Sequence, residues 1–125
     1  MTALILIVDD NALNAILVSD YLTSKGYRTI VTNDGSNAMD LVSELQPDLV
    51  LMDIQMPAMN GIEAIRHIRA DPHVQTTPVI ALTALAMPGD RERCLNAGAN
   101  EYVSKPVSMR TLAEIIAQHL KIADS

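Results

Sequence analysis

With 125 residues, 49% of them apolar, the chain has the size of one domain and enough hydrophobic content to bury a core. Nine basic against fifteen acidic residues give a formal charge of -6, and the basic side chains are scattered from Lys25 to Lys121, which argues against direct nucleic-acid binding. The apolar run Ala3 to Val8 is far too short for a membrane span or a signal-peptide core, and the single cysteine, Cys94, excludes an internal disulfide, so a cytoplasmic protein without membrane association is expected.

Leu4 to Val8 reads as a strand covered on both faces, and it runs into the acids Asp9 and Asp10. Leu13, Ile16, Leu17 and Tyr21 then recur at helical spacing and define a first helix, ahead of Gly26 where a left-handed cap would sit. Tyr27 to Thr32 mixes polar and apolar residues, as an edge strand does. Ala38, Leu41, Val42 and Leu45 mark a second helix, stopped by Pro47. Leu49 to Met52 is another apolar strand and delivers Asp53, after which Ile62, Ile65 and Ile68 define a third helix. Behind Pro78, Val79 to Leu82 is the third apolar strand and delivers Thr83. A fourth helix with the weakest apolar stripe is expected from Gly89 to Ala97, between Pro88 and Gly98. Glu101 to Ser104 reads as a second edge strand followed by Lys105 and Pro106, and Leu112, Ile115, Ile116 and Leu120 define the last helix.

Five strand-helix units with right-handed crossovers, apolar strands inside and mixed strands outside, predict an α/β fold. It is a doubly wound, five-stranded parallel sheet of order 2-1-3-4-5, a flavodoxin-like (βα)5 architecture. No repeat, low-complexity tract or Ser/Gly linker interrupts the chain, so residues 1–125 are expected to form a single domain with no output domain. The direction of winding reverses between the first and third strands, and open sheets of this kind bind their ligands at that point.

Asp9, Asp10 and Asp53 arrive there together, and three such carboxylates repel. At ~5 Å and an effective dielectric of ~20, each pair costs about 3 kcal/mol before relaxation. Shared protons at raised pKa values or a hard cation with a preference for oxygen relieve this; with no matched His or Cys ligand set nearby, Mg2+ is favoured. Lys105 brings positive charge to the same cleft, and Pro106 after it suits a cis peptide. A lysine and Mg2+ together suit a phosphoryl group, with Asp53, the lone acid of the middle strand, as nucleophile and the Asp9-Asp10 pair holding metal directly or through water. Taken singly these residues have ordinary readings. An acid pair is a loop or cap feature, Lys-Pro a turn, Thr83 a β-branched strand residue, and Tyr102 a core aromatic with its hydroxyl at the surface. His67, His73 and His119 form no cluster and read as surface residues, and Cys94 as a small side chain on a helix. The joint placement at neighbouring strand ends carries the argument.

The segments Ile7-Val8-Asp9-Asp10-Asn11, Leu51-Met52-Asp53-Ile54-Gln55-Met56-Pro57, Gly61, Thr83-Ala84 and Tyr102-Val103-Ser104-Lys105-Pro106 resemble the receiver domain of two-component response regulators, the CheY-like family, from end to end. This resemblance implies that Asp53 accepts a phosphoryl group from a histidine kinase, a histidine phosphotransfer protein or a small donor such as acetyl phosphate. It implies Mg2+ held by Asp10, Asp53 and the backbone carbonyl of Gln55, with Asp9 acting through water, and Lys105 paired with the phosphoryl oxygens. Thr83 and Tyr102 would form the switch to an output face on the fourth helix, fifth strand and fifth helix. Gln55 and Ala84 would govern access to the phosphoryl site. The protein would then be a signalling phosphoacceptor with slow autodephosphorylation and no turnover enzyme, a monomer or weak phosphorylation-dependent dimer, acting on a downstream protein target. Asp10-Asn11-Ala12-Leu13-Asn14 and Thr83-Ala84-Leu85-Ala86-Met87 resemble receivers of hybrid histidine kinases and single-domain cell-division regulators, which favours a phosphorelay or kinase-regulating role over a flagellar one.

Three rival readings make different demands. An FMN carrier needs a hydroxyl- and glycine-rich phosphate loop where this chain has Asp9-Asp10, and aromatic rings where it has three Tyr and no Trp or Phe. A haloacid-dehalogenase-type phosphatase needs a second acid two residues beyond the nucleophile, where Gln55 stands. A phosphate-independent interaction module makes the acids merely solvated and Asp53→Asn silent in partner binding.

Overall fold

The structure is a computed structural model that describes residues 2–33, 37–56, 59–83 and 88–124; for 55–56, 59–60 and 121–124 it describes the backbone. Strands β1 (Leu4–Val8), β2 (Arg28–Thr32), β3 (Leu49–Asp53), β4 (Val79–Thr83) and β5 (Glu101–Ser104) form one parallel sheet in the order β2-β1-β3-β4-β5. Helices α1 (Ala12–Ser24), α2 (Ala38–Leu45), α3 (Gly61–Ala70), α4 (Asp90–Ala97) and α5 (Met109–Asp124) connect and close it. This is the order expected from the alternation of apolar and mixed strands. β3 and β4 each extend one residue further than their apolar runs, so Asp53 and Thr83 are themselves the last strand residues. β2 begins at Arg28 and not at Tyr27. A two-residue antiparallel ladder, Gln55–Met56 against Met59–Asn60, lies between β3 and α3 and had no sequence signal.

The central strands are buried on both faces because successive side chains point to opposite sides. Leu6, Val8, Val50, Met52, Val79 and Ala81 pack with Ala38, Val42, Ala64, Ile65, Ile68 and Cys94 of α2, α3 and α4. Ile5, Ile7, Leu49, Leu51, Ile80 and Leu82 pack on the opposite side with Ala15, Val18, Leu22, Leu112, Ile116 and Leu120 of α1 and α5. The Cys94 thiol is fully buried in the first of these layers, and burial pushes its pKa up.

Helix α1 forms where its apolar period indicates but does not bury the residues that mark that period. Leu13, Ile16 and Leu17 do not face the sheet: they are 68%, 53% and 52% exposed, while Ala15, Val18 and Leu22 are buried. Both sets recur at 3.6-residue spacing, since the helix is apolar around most of its circumference, so periodicity does not choose the buried face. His119 corrects the sequence reading. Its side chain is 16% exposed and approaches Glu101 of β5 to 3.9 Å, whereas His67 and His73 lie at the surface.

Two connections rest on close backbone approach. A Cβ on Gly61 would lie 2.5 Å from the Cα of Ile54, so only glycine lets α3 start directly against the end of β3. Gly98 closes α4 at φ 120°, and a Cβ there would meet Cγ of Arg69 at 2.5 Å. Arg69, half-buried at the end of α3, donates from Nε to the Gly98 carbonyl (2.9 Å) and from NH1 to the carbonyls of Gln75 (3.1 Å) and Thr77 (2.7 Å). Its NH2 donates to Oδ1 of Asn100 (2.7 Å), which also accepts the Val79 N–H at 2.9 Å. One guanidinium thus fastens the α3–β4 and α4–β5 connections to each other.

Candidate functional site

The ladder bonds run one residue past β1 and β5, which fixes where the polar side chains emerge. Asp9 N–H donates to the Thr32 carbonyl (3.1 Å), and Lys105 N–H to the Thr83 carbonyl (2.7 Å). Val8 pairs with both Thr32 and Met52, and Asp53 with Leu82, so Asp9 and Asp53 leave adjacent strands at the same level. The crossover from β1 to α1 goes one way and that from β3 to α3 the other, which opens the crevice between them.

In that crevice one carboxylate oxygen from each of Asp9, Asp10 and Asp53 lies within 4.8 Å of the others. Asp9 and Asp53 are 3% and 7% exposed, while Asp10 is exposed. Lys105 spans the two buried acids, with Nζ 3.3 Å from Oδ2 of Asp9 and 3.7 Å from Oδ2 of Asp53. The Lys105–Pro106 peptide is cis. Asp9 is further held by the Asn11 backbone N–H on Oδ1 (2.9 Å) and by the Asn14 side-chain amide on Oδ2 (2.6 Å). Three acids against one ammonium leave net negative charge in a small, hard-oxygen site, the donor set a cation of the Mg2+ type prefers. Relief of that crowding is measurable. Asp53→Asn is expected to raise the thermal midpoint in EDTA by roughly 4 °C, about 1 kcal/mol. A midpoint that stays level or falls would remove the repulsion argument.

Thr83 is fully buried at the end of β4, one residue beyond the partner of Asp53. Tyr102, on the edge strand β5, pairs with Ala81 of β4 and packs against the α2–α4 layer. Its hydroxyl corrects the sequence reading: it is buried and has no hydrogen-bond partner among the described residues. Burial holds its pKa above the usual tyrosine range, and the charge of Asp90 at the start of α4 adds to the shift. Gln55 follows Asp53 by two residues, with its backbone paired to Asn60; its side chain, Pro57 and Ala84 lie outside the described features.

Asn14 is the site residue that sequence reasoning did not assign. Asn11 caps α1 by accepting the Asn14 N–H (2.9 Å), and this tight first turn aims the Asn14 amide back at Asp9. The available signal was a side-chain amide one helical turn beyond the acid pair. Beside it a cavity of about 390 Å3 opens between α1 and α5, lined by Asn14, Val18, Leu82, Lys105, Met109 and Leu112 among others.

A doubly wound parallel sheet of order 2-1-3-4-5 with an acidic pocket and a lysine at its switch point defines the CheY-like, flavodoxin-like class of fold. The chain belongs to the response regulator receiver domain family, whose model matches residues 5–117. It is 44% identical over 120 residues to the polar-differentiation response regulator DivK of Brucella ovis, covering 96% of this chain and 98% of the relative. The DivK of Brucella anthropi is 44% identical over 116 residues, with 93% and 94% covered. Among solved structures, the receiver domain of a putative LuxO repressor from Vibrio parahaemolyticus superposes with a TM-score of 0.92 at 26% identity, covering 99% of this chain and 94% of that one. The receiver domain of a sensor histidine kinase from Pseudomonas aeruginosa PAO1, solved with a magnesium ion coordinated in its active-site cleft, gives a TM-score of 0.87 at 38% identity, with 97% and 99% covered. The chain is thus a receiver domain of two-component signalling with DivK-like relatives, a class that works with histidine kinases or phosphotransfer proteins. No helix among the described residues is long and apolar enough to cross a membrane.

Proposed function

We propose that the protein accepts a phosphoryl group on Asp53 from a phosphohistidine and uses it to switch a protein-binding surface. The observation that carries this reading is Lys105 poised between Asp9 and Asp53, with three acid oxygens within 4.8 Å of one another. An Asp53 carboxylate oxygen forms the new O–P bond while the donor's N–P bond breaks; the histidine nitrogen keeps that electron pair and takes up a proton. Lys105, 3.7 Å from Asp53, is near enough to turn to the arriving phosphoryl oxygens and offset their charge. Asp10, Asp53 and the Gln55 carbonyl are the residues that would hold Mg2+, with Asp9 contributing through water. When bound, the ion neutralises and orients phosphoryl oxygens.

The Thr83 hydroxyl would turn toward the phosphoryl group, and Tyr102 reports the change on the face formed by α4, β5 and α5. The buried Tyr102 hydroxyl, without a hydrogen-bond partner among the described residues, favours a second arrangement in which it finds one. Leu13, Ile16 and Leu17, exposed on α1 close to the acids, supply an apolar surface for the histidine-bearing partner. We assign the protein to the cytoplasm, as a monomer or weak phosphorylation-dependent dimer that relays a signal or regulates a kinase. Turnover is limited to its own slow dephosphorylation, and Ala84 and Gln55 govern water access to the phosphoryl group.

Intact mass after incubation with acetyl phosphate and Mg2+ is expected to rise by about 80 Da, once per chain. Asp53→Asn or EDTA should abolish the adduct. If acetyl phosphate, phosphoramidate and a panel of histidine kinases all leave the mass unchanged, the reading fails and a phosphate-independent interaction module takes its place.

A further inference from the structure

We infer that Asn14 is a positioning residue for phosphoryl transfer: its amide holds Asp9 so that Lys105 is free to leave Asp9 for the phosphoryl group. This rests on the proposed role of Asp53 and extends it. Asp9 is a buried carboxylate, and such a group must keep donors on both oxygens. Oδ1 has the Asn11 backbone N–H, which cannot be withdrawn without uncapping α1. Oδ2 has two donors, Asn14 Nδ2 at 2.6 Å and Lys105 Nζ at 3.3 Å, so the neutral amide makes the shorter contact and the ammonium the longer one.

The consequence lies in what happens when Lys105 moves. An ammonium that were the sole donor on Oδ2 could turn to Asp53 only by stripping a buried oxygen of its partner, which is the costly half of any hydrogen-bond exchange. With Asn14 in place Oδ2 stays bonded throughout, and Lys105, only 3.7 Å from Asp53, shifts with little loss. Asn14 is suited to this because it carries no charge: it satisfies Asp9 without neutralising the site. Its position on the rigid first turn of α1 fixes the amide, since its own N–H is bonded to the Asn11 cap at 2.9 Å. The side chain also borders the α1–α5 cavity, so no packed core layer depends on it.

The test is phosphorylation by acetyl phosphate, followed by mass, in wild type, Asn14→Ala and Asn14→Asp at saturating Mg2+. Asn14→Ala is expected to lower the maximal rate by about tenfold with the half-saturating acetyl phosphate concentration unchanged, the pattern of an interaction felt in the transition state. Asn14→Asp keeps the size but replaces the donor with an acceptor that itself attracts Lys105, and should be slower still. Binding of beryllofluoride with Mg2+, a phosphoryl mimic read by NMR shifts, should weaken in parallel, whereas Mg2+ affinity alone changes less than about threefold. Equal maximal rates and equal beryllofluoride affinity in wild type and Asn14→Ala would overturn the inference, as would a loss fully accounted for by weaker Mg2+ binding. A wild-type protein that takes no phosphoryl group from any donor would instead remove the underlying reading of Asp53.

Discussion

Leu13→Glu with Leu17→Glu is expected to slow phosphotransfer from a histidine kinase that phosphorylates the wild type by about 100-fold or more, at roughly 2 kcal/mol for each buried anchor lost. The same variant should keep its rate with acetyl phosphate, which needs no protein docking. The two leucines are 68% and 52% exposed and one helical turn apart, so they form an apolar ridge with Ile16 and contribute little to the core. Three large aliphatic side chains left exposed together on one helix mark a contact surface. Thermal stability should change by no more than about 0.5 kcal/mol, since the buried side of α1 is Ala15, Val18 and Leu22. Equal losses with kinase and acetyl phosphate would show a disturbed pocket and remove α1 as the docking surface. An unchanged kinase rate would do the same.

Arg69→Ala is expected to destabilise the domain by about 3 kcal/mol, a fall in midpoint of roughly 10 °C. The guanidinium donates to three backbone carbonyls and to Asn100, all at 3.1 Å or less, and its removal leaves those acceptors partly shielded from water. Arg69→Lys should recover little, because one ammonium cannot reach acceptors spread around a planar fork. Hydrogen exchange gives the finer test: amides of Val79, Ala99 and Asn100 should lose protection ahead of β1 and β3, since the bonds lost tie together the connections that lead into β4 and β5. A destabilisation below about 1 kcal/mol would mean that these carbonyls are satisfied by solvent at no loss. The functional consequence is that Arg69 holds the segment from which Tyr102 and β5 start, so the proposed output surface moves against a fixed base.

The sheet was legible from short local patterns in the sequence. With three apolar strands inside, two mixed ones at the edges and right-handed crossovers, 2-1-3-4-5 is the natural order, and the acids, hydroxyl and lysine stand at strand ends whatever the details of packing. The grouping of Asp9, Asp10 and Asp53 followed from that order, because strand ends are set by short, local patterns. The remaining features depend on packing between elements. Helix α1 has two apolar faces of the same period, and only contact with β1, β3 and α5 chose Val18 and Leu22 over Leu13 and Leu17 for burial. The hydroxyl of Tyr102 is buried because α4 packs over it, and His119 meets Glu101 because α5 folds back on β5. Asn14 reaches Asp9 only through the capped first turn of α1, and Arg69 finds its acceptors in connections that carry no periodic pattern. Periodicity records which residues share a face; which face is covered, and which polar groups meet, depends on contacts between segments distant in the chain.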